Sequence, residues 1–60
     1  MSDQAAADPL TRIRLACQEI TAALREVDQA NPAATVITGR MRGTVETVAY
    51  DLSELRYFTT

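Results

Sequence analysis

Six larger apolar residues, Leu10, Ile13, Cys17, Ile20, Leu24 and Val27, recur at alternating steps of three and four without a break. A strand would put such positions on both of its faces, whereas a helix of 3.6 residues per turn gathers them into one stripe. The spacing is that of an a/d heptad seam. Ala16 and Ala23 widen it, while Arg12, Gln18, Glu19, Arg25 and Glu26 occupy the other faces. Asp8-Pro9 supplies the start signal, because Asp is a good N-cap and proline at the first helical position loses no needed hydrogen bond. The predicted helix runs from Pro9 to about Ala30, where Asn31 is suited to the left-handed terminal conformation and Pro32 cannot continue the ladder. Such a helix is about 33 Å long at 1.5 Å per residue.

Beyond Pro32 the pattern changes. Thr35-Val36-Ile37-Thr38 and Thr44-Val45-Glu46-Thr47-Val48 are rich in β-branched residues, and Gly39-Arg40-Met41-Arg42-Gly43 lies between them. Two such runs around a glycine-bounded segment predict a β-hairpin, with either glycine available for a positive φ in the turn. The strands do not alternate cleanly, so neither face is marked as the buried one. Asp51-Leu52-Ser53-Glu54 has the form of a capping box and predicts a short terminal helix from Leu52 to about Phe58. The expected fold class is therefore α+β, in the order α-β-β-α. Residues 1–8 are expected to form an N-terminal arm and 9–60 a single small domain.

A chain of 60 residues buries only about 60% of the surface that it exposes when unfolded. Disulfides, metals or association usually compensate. One cysteine and no histidine allow neither an internal disulfide nor a zinc site of ordinary spacing. Association remains. The expected hairpin and terminal helix are too short to cover the seam, so Leu10, Ile13, Cys17, Ile20, Leu24 and Val27 are candidate interface residues as well as candidate core.

Arg40, Met41 and Arg42, at the expected hairpin tip, form either a soluble turn or a grip on an acidic or phosphate-bearing partner. Tyr57 and Phe58 either fold back on the first helix or join an interface. Cys17, within the seam, is read as a small core residue. Without histidine or lysine, the usual acid–base groups are missing, and Asp51 with Glu54 or Glu26 with Asp28 are explained by capping or solvation. No enzyme activity and no cofactor are expected. The net charge of −2 gives no basic field for DNA, and the start of the chain has neither the basic nor the apolar part of a signal peptide. A cytoplasmic, homo-oligomeric protein that spans no membrane is expected.

The stretch Val45-Glu46, Ala49, Leu52-Ser53-Glu54-Leu55, preceded by the arginine- and glycine-bearing turn and by Ala34-Thr35-Val36, resembles the small head-completion proteins of tailed phages, the lambda W protein family. The resemblance implies a structural head–tail connector subunit, packed as an oligomer against the portal and its neighbours, in the host cytoplasm and then the virion. Nucleic acid would be met only by proximity. The alternative is a small regulatory or inhibitory binder, of the antitoxin or phage-encoded inhibitor type, acting as a helical dimer.

Overall fold

A computed structural model describes residues 8–59. The first helix, α1, covers Pro9–Ala30. Asp8 caps it: its backbone is extended, and its side chain accepts a hydrogen bond from the Thr11 N–H at 2.8 Å. The expected N-terminal arm lies outside the described residues except for this cap. At the other end Asn31 does not take the left-handed conformation expected of it, but has φ −139° and ψ 78°. The residue before a proline is driven into this extended region. Its N–H still satisfies the Val27 carbonyl at 2.8 Å.

A single 3-10 turn, Pro32–Ala34, reverses the chain. The Thr35 hydroxyl donates to the Pro32 carbonyl at 2.7 Å and anchors the exit. The second helix, α2, then runs unbroken over Thr35–Thr59.

The expected β-hairpin is therefore absent, and the α+β class is corrected: the described residues form two helices and no strand. Thr35–Thr38, Gly39, Gly43 and Thr44–Val48 all lie inside α2, neither glycine has a positive φ, and Asp51 sits within the helix instead of capping a new one. Three physical reasons account for the difference. An isolated two-stranded ribbon leaves backbone groups unpaired at its edges, while a helix satisfies them internally. β-Branched residues cost a helix only a few tenths of a kcal/mol each. The helix also leaves the threonine hydroxyls satisfied, Thr44 donating to the Arg40 carbonyl at 3.2 Å and Thr47 to the Gly43 carbonyl at 3.1 Å.

α1 and α2 lie side by side as an antiparallel helical hairpin whose Cα atoms occupy a slab 9 Å deep. With 25 residues, α2 is longer than the 22-residue α1. The second half of the chain is thus long enough to match the seam along its whole length, contrary to the expectation from the sequence. Even so, Leu24 and Leu52 are the only apolar side chains buried among the described residues, joined by Thr38.

Candidate protein-interaction face

The closed end of the helical hairpin is held by a polar cluster. Thr38, 4% exposed, donates its hydroxyl to the Asp28 carboxylate, and the Arg42 guanidinium donates to the other carboxylate oxygen at 3.2 Å. The Thr38 bond is the main cause, with Arg42 adding to it, that holds the Asp28 carboxyl below its ordinary value of 3.8 against some desolvation. At the start of α1 the Asp8 carboxyl is lowered too, chiefly by the Thr11 backbone N–H. The Asp28 cluster fixes the register of α2 on α1.

At 100° per residue the seam of α1 resolves into two rows. Leu10, Cys17 and Leu24, with Thr21 and Asp28, turn toward α2 and are buried or half-buried. Ile13, Ile20 and Val27 stand roughly 70° to one side of them and keep 37%, 42% and 40% of their surface exposed. Ala16 and Ala23 lie about 50° further round, on the far side of that row. On α2 the division repeats: Thr38, Arg42, Val45 and Leu52 turn toward α1 and are buried or half-buried, while Ile37, Met41, Val48 and Leu55 stand to one side and are exposed.

Both exposed rows lie on the same side of the slab. Ile13 from α1 and Val48, Leu55 and Phe58 from α2 line one shallow cleft of about 390 Å³. The opposite side holds a groove of about 680 Å³ whose rim carries Arg14, Gln18, Arg25, Glu46 and Arg56, while Cys17, Ala22, Val45, Ala49 and Leu52 line it as well. The molecule therefore has one flank that carries the two exposed apolar rows and one flank whose groove is rimmed by arginines.

The residues singled out in the sequence are redistributed accordingly. Leu10, Cys17 and Leu24 serve the contact between the helices, and Ile13, Ile20 and Val27 belong to the open flank. Cys17 is half-buried and lines the arginine-rimmed groove. Arg40, Met41 and Arg42 form no loop tip, because they occupy successive helical positions and point in three directions: Arg40 to solvent, Met41 to the apolar flank, and Arg42 to Asp28. Tyr57 and Phe58 contact each other edge to face, with ring centroids 5.9 Å apart, and remain 83% and 81% exposed. Ile37, Val48 and Leu55 were missed as interface candidates. Their signal was present, since Ile37, Met41, Val45, Val48, Leu52 and Leu55 follow one another at helical steps of three and four.

Among the described residues no group of three or more histidines, cysteines or acids is placed to hold a metal ion, and no helix is long and apolar enough to cross a membrane. The chain matches no protein-family model, no curated protein and no solved structure.

Proposed function

We propose that this chain is a non-enzymatic protein-interaction subunit whose apolar flank docks on another polypeptide. One observation carries the reading: Ile13, Ile20, Val27, Ile37, Met41, Val48, Leu55 and Phe58 lie on one side of a layer a single helix deep, each 37–81% exposed. Their exposed portions amount to about four fully buried side chains, so covering them gains roughly 6–12 kcal/mol of transfer free energy before the cost of association. The whole stability of a domain this size is on the order of 3–9 kcal/mol. The open flank thus holds as much stabilisation as a folded chain of this length requires. The absence of histidine and lysine from the sequence supports a binding role over catalysis.

A head-completion subunit and a small regulatory binder are two settings for such docking. The β-hairpin through which the sequence resembled head-completion proteins is helix, so the connector setting rests on the short residue pattern alone. Mixing the chain with portal rings and measuring co-sedimentation tests that setting directly.

The interaction reading itself is tested by the mass and thermal unfolding of the isolated chain over a wide concentration range. A chain that requires a partner is either associated or only marginally folded. A monomer that unfolds cooperatively near 60 °C, at a temperature independent of concentration, would be self-sufficient and would overturn the reading.

A further inference from the structure

We propose that the occupant of the apolar flank is a second copy of this chain, packed face to face about a two-fold axis that crosses the helices at the level of Ile20 and Val48, to make an antiparallel four-helix bundle. This inference rests on the interaction reading above and names its partner.

A two-fold interface demands a patch complementary to itself, and the two rows have that property about the same level. In the α1 row the apolar residues sit at Ile20 and seven positions to either side, Ile13 and Val27; in the α2 row they sit at Val48 and seven positions to either side, Met41 and Leu55. Ile20 lies at the middle of α1 and Val48 beside the middle of α2. The register puts these two at one height. Asp28 meets Thr38 and Arg42, and eight residues back along α1 is Ile20, while eight residues on from the middle of the Thr38–Arg42 stretch is Val48.

One two-fold axis through that height therefore lays α1 on α1 and α2 on α2 in antiparallel fashion. Ile20 and Val48 meet their own copies, Ile13 meets Val27, and Met41 meets Leu55. Ala16 falls opposite Ala23, where small side chains let the two α1 helices approach closely. Thr44 falls opposite Asp51, a hydroxyl against a carboxylate. At the borders Arg12 is brought toward Glu26 of the other copy and Arg40 toward Glu54. The one like-charge encounter is Glu19 with itself. The arginine-rich flanks face outward.

The size also suits a dimer. Two adjacent helices about 33 Å long and 10 Å wide present a face of roughly 660 Å², so a pair of copies buries about 1,300 Å² in all. That exceeds the ~1,000 Å² that separates specific interfaces from incidental ones.

Sedimentation equilibrium of the full chain is expected to give a dimer, and Ile20→Glu combined with Val48→Glu to give a monomer, folded or not. Disulfide trapping in a Cys17→Ala background, with helicity of each variant checked by circular dichroism, fixes the arrangement. Val48→Cys is expected to cross-link to itself. Met41→Cys and Leu55→Cys are each expected to stay uncross-linked alone but to join when mixed. A dimer that instead traps Ile20→Cys with Val48→Cys has its turns at the same end and overturns the proposed axis. A ring of higher order, or a chain that folds only with a different protein, overturns self-pairing while leaving the interaction reading intact. A stable, self-sufficient monomer overturns both.

Discussion

Replacing Gly39 and Gly43 by alanine tests the architecture at the point where sequence and structure part. Both glycines lie inside α2 without a positive φ, and a Cβ added at either would meet nothing within 4 Å. No steric cost opposes the change. In a helix interior alanine is favoured over glycine by about 0.8–1 kcal/mol, largely because the unfolded chain loses freedom it no longer has to give up on folding. The two substitutions together are expected to add about 1.6–2 kcal/mol. For a chain of this length that corresponds to a rise in Tm of about 7–15 °C.

A β-hairpin predicts the opposite sign. Glycines that supply a positive φ to a turn are replaced only at a loss, and alanine there destabilises by more than the gain just described. Circular dichroism at 222 nm through a thermal ramp distinguishes the two outcomes, with chain concentration held fixed because association makes Tm depend on it. A fall in Tm for the double variant, or a weakened helical signal at low temperature, would refute the continuous α2.

The remaining expectations concern the contact between the helices and its polar lock. Leu24→Ala, at a site 6% exposed, should cost about 2–5 kcal/mol in urea unfolding, whereas Leu15→Ala, 51% exposed on the side of α1 away from α2, should change stability by no more than about 0.5 kcal/mol. The carboxyls of Asp8 and Asp28 are held below their ordinary value by hydrogen bonds present only in the folded state. Their contribution is therefore complete above pH ~4 and lost as pH falls through the lowered values. Thermal stability should be level from pH 5 to 7 as far as these groups determine it, and fall below about pH 4; Asp28→Asn should weaken that acid limb, and an unchanged limb would count against the lock. Glu19→Gln, which removes the like-charge encounter at the proposed axis, should lower the dimer dissociation constant in sedimentation at low salt; a rise would place Glu19 elsewhere.

The part of the fold legible in the sequence is the part in which local signals agree. Around α1 the Asp8-Pro9 start, the three-and-four spacing and the Asn31-Pro32 stop all indicate the same element. Around residues 35–48 they conflict. Threonine, valine, isoleucine and two glycines speak for strand and turn, while the spacing from Ile37 to Leu55 speaks for helix. The conflict is resolved by the requirement for backbone hydrogen bonds and for a packing surface along α1, which composition does not express. Asp51 and Glu54 show a similar limit: a capping box marks a helix start only where the preceding residues are not already helical. Of the candidate site, the row Ile13, Ile20 and Val27 was legible in the seam, whereas its counterpart on α2 was hidden by the reading of those residues as strands.

The reason for the surplus also changes. A shortfall in the length of the remaining chain does not produce it, since α2 outlasts α1. It follows from the width of the seam. Positions 10, 17 and 24 and positions 13, 20 and 27 form two rows, and a single neighbouring helix covers only one of them. α2 takes the first row of α1, and α1 in turn covers Val45 and Leu52 but leaves Met41, Val48 and Leu55. Each helix thus carries apolar material for two neighbours, and a chain of two helices gives each of them one. Lengthening the hairpin would extend both exposed rows and cure nothing. A second layer would cover the remaining rows, and the proposed antiparallel copy would supply each helix with a second neighbour while leaving Arg14, Arg25 and Arg56 on the outside.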